Sequence, residues 1–464
     1  MAKRVQRAAT HWTLSSIVLH VARYVYVQAD VVAFLRALAS YAHDEHLRAL
    51  LTLLEAKPGL WPRADVDDLS AMHRPTVLQA LPALCKIYAH QSVGADFCHG
   101  TPLPPTADVH AYATDVYQLG ADFGPWVPNI VKLHTGVHCD TAPLDVPRLQ
   151  PVLASCPKLL VLSIKFADAV DKATMDTLLA AVVAACPRLS KLRFQAVPFV
   201  LESCESLLTW VKRPRARTLR LTGVDFSAAA ATTLARALLS SPTLRSVALE
   251  HTKNLSQALL DPSTLPLEGH LRHLVINANH VAMDATFPVS LTTMDVRCAT
   301  LIDIVPPRLP EYISFFRVKM SDAAFTMLCG ILGSSKTLAR LDVAHAELRP
   351  NQVAKLIKTL PLWLNRQNHA CAVRLGVTSA LDVERLITAM TRMRILHKVK
   401  IELYDNEALN KAACKRLVTA LWATSSVALR FESLFWDPTV EIDLQAHATR
   451  CNVRHSDGWY RLPL

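Results

Sequence analysis

Leucine returns through most of this chain at a regular spacing, and that spacing constrains the fold more than any other feature. The segments Cys156-Pro157-Lys158-Leu159-Leu160-Val161-Leu162-Ser163-Ile164, Cys186-Pro187-Arg188-Leu189-Ser190-Lys191-Leu192-Arg193-Phe194 and Ser241-Pro242-Thr243-Leu244-Arg245-Ser246-Val247-Ala248-Leu249 follow one pattern. Each has a small residue, a proline, a basic or polar residue, then L-x-x-L-x-L. Continuing the template places its central apolar position at Leu162, Leu192, Leu219, Val247, Leu274, Met294, Phe316, Leu341, Leu375, Ile401 and Leu429. Most steps fall between 25 and 30 residues. The steps of 20 and 22 that end at Met294 and Phe316 predict a lost helix, and the step of 34 that ends at Leu375 predicts an inserted loop.

Between these positions the chain reads as helix. In Met175–Val183, Ala231–Leu239 and Lys411–Leu421 the apolar residues recur at three and four. Pro157, Pro187 and Pro242 then end the helices, because proline lacks an amide hydrogen and clashes with the preceding turn. One helix and one short strand cannot bury their apolar faces alone, so successive units must stack, and strands stacked in one direction form a parallel sheet. The competing reading is an ordinary leucine-rich helical or α/β protein, which three aligned proline junctions and a sustained period argue against.

The pattern resembles the leucine-rich repeat of the ribonuclease-inhibitor type. Leu271-x-x-Leu274-x-Ile276-x-x-Asn279 fits the family motif best, whereas Val224 and Thr252 stand where the asparagine would be. The resemblance implies an α/β solenoid, a horseshoe with a parallel inner sheet and outer helices.

Residues ahead of the repeats have another texture. Leu14-Ser15-Ser16-Ile17-Val18-Leu19-His20-Val21-Ala22-Arg23-Tyr24, then Asp30–Leu38, then Leu60-Trp61-Pro62 resemble an F-box, with Ser15 in place of its proline and Ile17 in place of its acidic residue. That resemblance implies docking on a Skp1-like adaptor through Leu14, Val18, Leu19, Val21 and Tyr24. It also implies membership of a cullin-type ubiquitin ligase, with the repeats choosing the target. The alternative is a plain helical cap over the first repeat, which any solenoid needs. The chain accordingly divides into an F-box-like helical module at 1–71, a helical connector and linker at 72–125, repeats at 126–434 and a C-terminal cap at 435–464. Within the connector, Leu78–Tyr88 reads as helix and Gly100–Thr106 as a proline-rich turn.

If the strands are placed correctly, residues flanking each central position face outward on the concave side. That face carries Lys165, Lys191, Arg193, Arg220, Arg297, Arg317, Lys319, Arg340, Arg374, Lys400 and Arg430 against Glu250, Asp295, Asp342, Glu402 and Glu432. The basic excess exceeds the 50 to 39 of the whole chain. It predicts a target that is an acidic or phosphorylated protein segment, met chiefly at Lys191, Arg193, Arg220, Arg297, Arg317, Lys319, Arg340 and Arg374. The plainer reading is a solvated strand face. The basic run Lys212–Arg217 could touch phosphate or act in nuclear import, but no aromatic stacking array accompanies it in the sequence, so nucleic acid is not favoured.

Signals for chemistry fail. Only 12 glycines are present, and none cluster as phosphate-cradling loops require. No G-x-S-x-G, H-E-x-x-H or P-loop occurs, and His43-Asp44-Glu45-His46, Cys98-His99 and His138-Cys139 lack further ligands at metal spacing. The eleven cysteines form no C-x-x-C pair and sit among apolar neighbours, which reads as buried thiols of a reducing compartment. The basic start Met1–Arg7 is followed by an apolar stretch that His20, Arg23 and Asp30 interrupt, which argues against a membrane span or a secretory signal. These features predict a cytoplasmic or nuclear interaction protein with no catalytic residue, cofactor, metal or membrane contact of its own. It would be either a monomeric ligase subunit within a larger complex or a stand-alone repeat scaffold or inhibitor.

Overall fold

The computed structural model describes residues 14–42, 44–84, 86–90, 95–137, 145–166, 172–261, 269–277, 280–283, 290–304, 309–395, 397–404, 409–424, 426–432 and 438–462. The chain is α/β with mostly parallel strands, in two compact units that divide at Val197–Pro198. No helix among the described residues is long and apolar enough to cross a membrane.

The first unit opens with helices at Leu14–Ala22, Gln28–Ala42 and Glu45–Ala56. Leu47, Leu50, Leu53 and Leu54 bury the inner face of the third helix, and Asp44 caps it by accepting the Leu47 amide at 3.0 Å. Gln28 ties the helices to the following turn. Its amide donates to the carbonyls of Leu54 and Lys57, and its oxygen accepts from the amides of Gly59 and Trp61. Leu60 and Trp61 are buried, and the indole donates to the Val25 carbonyl.

Parallel strands follow in chain order, β1 (Ala64–Asp65), β2 (Lys86–His90), β3 (Asp108–Ala113), β4 (Ile130–Val137), β5 (Val161–Phe166) and β6 (Lys191–Leu201). Leu133, Leu162 and Leu192 stand in register across β4–β6 and are fully buried. Burying a leucine of this kind stabilises by roughly 1.5–3 kcal/mol. Two of these strands correct the connector: Leu78–Tyr88 is α-helix to Ala80 and 3-10 helix over Leu81–Ala83 before it enters β2, and β2 and β3 are strands in register with β4. Their inward positions are Ile87, Ala89, Val109 and Ala111, none of them leucine, which hides the pattern from a leucine template.

In the second unit the parallel strands are β7 (Thr218–Phe226), β8 (Ser246–Glu250) and β9 (His273–Asn277), while β10 (His280–Met283) lies outside this series. The series continues with β11 (Thr293–Arg297), after which β12 (Thr300–Ile304) again lies outside it, and then with β13 (Tyr312–Phe316). After β14 (Lys319–Met320) it runs through β15 (Arg340–Val343), β16 (Cys371–Gly376), β17 (Val399–Tyr404) and β18 (Val427–Glu432). β10, β12 and β14 form a separate three-stranded parallel sheet. β10 and β12 stand where the short steps predict missing helices, and β14 directly precedes the helix Asp322–Ser334. A hairpin of β19 (Arg454–Ser456) and β20 (Trp459–Arg461) pairs antiparallel with β18. Its turn residues Asp457 and Gly458 both have positive φ, as a two-residue hairpin turn matched to strand twist requires.

Leu219, Val247, Leu274 and Met294 align across β7, β8, β9 and β11. The next partner of Met294 is Ile313, not Phe316, and the partner of Leu341 is Val373, not Leu375. Phe316 faces the opposite side, 36% exposed and level with Arg297. The long step before β16 comes from the fifteen-residue helix Pro350–Leu364 rather than from an inserted loop. The predicted helices run Lys172–Ala185, Ala228–Ser240 and Lys411–Ala420. Asn279 lies outside the described residues.

Seven of the nine described cysteines are buried. Burial pushes the Cys98 and Cys371 thiols up to about 12 and Cys156 to about 11, so these thiols stay protonated and unreactive.

Candidate functional site

Strand alternation sends every second side chain of the first unit outward, and register aligns them into two rows. One row runs Asp65, Tyr88, His110, Lys132, Val161, Lys191; the other runs His90, Tyr112, His134, Ser163, Arg193. Neighbouring strands lie about 4.8 Å apart, so rings at equivalent positions stack. His90 and His134 lie against the two neighbouring strand positions of Tyr112, with ring centroids 4.6 and 4.9 Å away and planes within 12° and 8°. Tyr88 meets His110 edge-on at 4.7 Å.

Beside this aromatic strip lies a depression of about 630 Å³. Its cations are Lys132, Lys158, Arg188, Lys191 and Arg193, its apolar wall is Val131, Leu160 and Val161, and Asp108 is the carboxylate among its lining residues. Lys158 is already engaged, with the Asn129 side-chain oxygen at 2.6 Å and with the Pro105 carbonyl. Among the described residues Lys132, Lys191 and Arg193 have no carboxylate within ion-pair distance. The Arg193 Nε and His110 Nδ1 atoms are buried there without a hydrogen-bond partner.

The electrostatic result is a run of like charges. Burial, then the charges of Lys132, Lys86, His134 and Arg63, pull the His110 imidazole down to about 4. Burial, then Lys132 and Arg193, bring His134 down to about 4 as well. Lys132 is lowered by burial and by Arg193 and Arg63. Burial is the larger cause in each case, and the neighbouring cations add to it by disfavouring a further positive charge.

Unit 2 presents its cations differently. Arg220 pairs with Glu250 at 2.7 Å and Arg297 with Asp295 at 2.6 Å. Arg374 reaches Asp342 at 3.4 Å, Glu402 at 3.2 Å and also Glu432, and Arg430 lies 3.7 Å from Glu402. Burial would lower the Arg374 guanidinium, but Glu432, Asp342 and Glu402 outweigh it and hold the pKa above its usual value. Arg340 covers Tyr312 at 4.9 Å and Lys400 covers Trp459 at 4.9 Å.

Of the eight residues predicted to meet a target, six stand on outward strand positions. Arg317 and Lys319 do not. Arg317 follows β13 in left-handed backbone with its amide on the His345 carbonyl, and Lys319 begins β14 of the small sheet, 3.4 Å from Glu347. Only Lys191 and Arg193 belong to the unpaired cluster. The sequence reading misses Lys132, His110 and His134, because its template starts at Leu162 and so leaves out β3 and β4. The Lys212–Arg217 run forms the turn into β7, where Arg217 donates to the Thr243 carbonyl.

In the N-terminal helices Val18 is buried, which removes it from the predicted adaptor contacts. Val21 and Tyr24 are exposed and Leu19 is half-buried; the side chain of Leu14 lies outside the described residues. Ile17, Tyr26 and Val27, absent from the prediction, extend the exposed apolar strip. His46 donates through Nδ1 to the Gln79 carbonyl at 2.7 Å, while His43 and the pair His138-Cys139 lie outside the described residues. Among the described residues no cluster of three histidine, cysteine or acidic side chains could hold a metal. No protein-family model matches this chain, and no curated protein matches it.

Proposed function

We propose that this chain is a non-enzymatic, protein-binding repeat protein with repeats of the ribonuclease-inhibitor type. In this reading it is a monomeric subunit of a cullin-type ubiquitin ligase in the cytoplasm or nucleus. The outward strand rows hold an acidic or phosphorylated target, and the N-terminal helices hold a Skp1-like adaptor. Ubiquitin transfer then occurs on partner proteins, so the chain needs no catalytic centre.

The observation that carries the reading is the open apolar strip of the first helices. Val21 at 44%, Ile17 at 46% and Val27 at 56% exposure stand clear of the packed interior that holds Val18 and Ala22. Apolar side chains grouped on one surface mark an interaction site more often than scattered ones do. A helical cap serving only the repeats would leave them no such task.

Capture of a purified Skp1-type adaptor by the full chain tests this. Val21→Asp, exposed and so tolerated by the fold, is expected to abolish capture, and Ile17→Asp to weaken it at least tenfold. If the unmodified chain captures no adaptor, the ligase assignment falls and a stand-alone scaffold or inhibitor replaces it.

A further inference from the structure

On the reading that the sheet face of the first unit meets a partner protein, we propose that the depression between β3 and β6 is a subsite for one phosphate monoester on a serine or threonine of that partner. The charge pattern selects an anion. Lys132, Lys191 and Arg193 lack carboxylate partners among the described residues, and Asp108 is the carboxylate that opposes them. A buried donor without a partner is destabilising, and Arg193 Nε is in that condition. A ligand oxygen would satisfy it.

Several features choose among anions. A phosphate monoester presents three peripheral oxygens and close to two charges, which matches several separate cations better than a carboxylate does. About 630 Å³ with an apolar wall of Val131, Leu160 and Val161 leaves room for the side chain that carries the group and for its neighbours, which a free ion would not use. A nucleobase finds little platform here. The ring of Tyr112 is stacked with both His90 and His134, so the aromatic strip offers edges, and edges present N–H and O–H donors.

Filling the site is coupled to protonation. His110 faces Tyr88 and Lys86 of β2, Lys132 of β4, and Arg63; His134 faces Tyr112, Lys132 and Arg193, with Asp108 on the opposing side of the charge balance. Burial, and after it the surrounding cations, keep both rings neutral near pH 6. A dianion placed among them reverses that field, and the rings then gain protons and become donors.

The test is titration calorimetry of the full chain with N-acetyl-O-phosphoserine amide, N-acetylglutamate amide and inorganic phosphate, in phosphate-free buffers at pH 6. The expected result is one saturable site for the phosphoserine amide, at least tenfold tighter than for the other two probes. Binding should weaken roughly tenfold or more in Arg193→Gln and in Lys132→Gln, and stay unchanged in Arg236→Gln, on the exposed side of helix Ala228–Ser240 in the second unit. Lys191→Gln, on an exposed side chain, keeps the test decisive if Arg193→Gln does not fold. The binding enthalpy should vary with buffer ionisation enthalpy as proton uptake requires, and the His110→Gln/His134→Gln double variant should lose that variation. Equal affinity for glutamate amide or free phosphate, indifference to these substitutions, or no saturation would overturn the subsite. A chain that binds phosphoserine amide but captures no adaptor keeps the subsite and loses the ligase assignment. One that captures adaptor but fails the titration loses the subsite alone.

Discussion

Arg193 and Arg374 occupy matching places in the two units, each at an outward strand position flanked by buried apolar residues. Their surroundings differ. Arg374 is level with Asp342 on β15 and Glu402 on β17 and also reaches Glu432, so three carboxylates share one guanidinium. Arg193 is level with Ser163, and the charge of Arg193 acts on Lys132 and His134, both of which it lowers. The same alternation builds both faces, yet one is neutralised from within and the other is left charged. A neutralised face is held together by its own pairs and offers little to an anion. A face of uncompensated cations gives up stability and keeps its charge for a ligand, the usual trade between stability and function at a binding site.

The largest consequence is an opposite response to removing the arginine. Arg374→Met leaves Asp342, Glu402 and Glu432 facing one another without a counter-charge, at positions where Asp342 is 9% exposed. Breaking a partly buried pair of this kind should cost about 3 kcal/mol, read as a lower urea midpoint. Arg193→Met keeps the aliphatic stem and removes one charge from a repelling cluster, so stability should stay within about 0.5 kcal/mol of the parent or rise. Equal losses in the two variants would remove the distinction between the faces.

A smaller effect separates the units by pH. His110 and His134 have folded-state pKa values of about 4, below the ordinary 6.5. The unfolded chain therefore binds protons first as pH falls, and stability that is complete above about 6.5 is lost toward pH 4. Partial solvent access limits this to roughly 1 kcal/mol for each ring. Thermal melts across that window should show a falling midpoint in the parent, and the His110→Gln/His134→Gln variant should flatten the fall. An unchanged slope would mean that the two rings are not held neutral by their neighbours.

The contrast between the faces could not be read from residue order. Leu162, Leu192, Leu219, Val247, Leu274, Met294, Leu341, Ile401 and Leu429 are legible because each must be buried, and each is at most 1% exposed. The template slips where apolar residues occupy neighbouring or alternate positions. Tyr312-Ile313-Ser314-Phe315-Phe316 offers three apolar candidates, and Val373 and Leu375 share one face, so a shift of two residues leaves the pattern intact. Strands β2 and β3 escape because Ala89 and Ala111 fill inward places that leucine fills elsewhere. Charge pairing escapes for a different reason. Whether an arginine meets a carboxylate depends on the residue level with it on the next strand, some 30 positions away, and composition does not carry that register.

The smallest expected effect concerns the edge of the second face. Lys400 lies level with Ala428 on β18, and Ala428 pairs with Arg461 on β20, which brings Trp459 under the ammonium at 4.9 Å with Arg430 at 6.0 Å. A cation over a partly exposed indole contributes about 0.5–1 kcal/mol, so Lys400→Ala should lower the unfolding free energy by about that much and Trp459→Leu by more. The double variant then measures whether the hairpin is held by that contact: a coupling near 0.5 kcal/mol places Lys400 among the compensated cations. A coupling of zero makes it a free charge, and the second face would then resemble the first at its last strands.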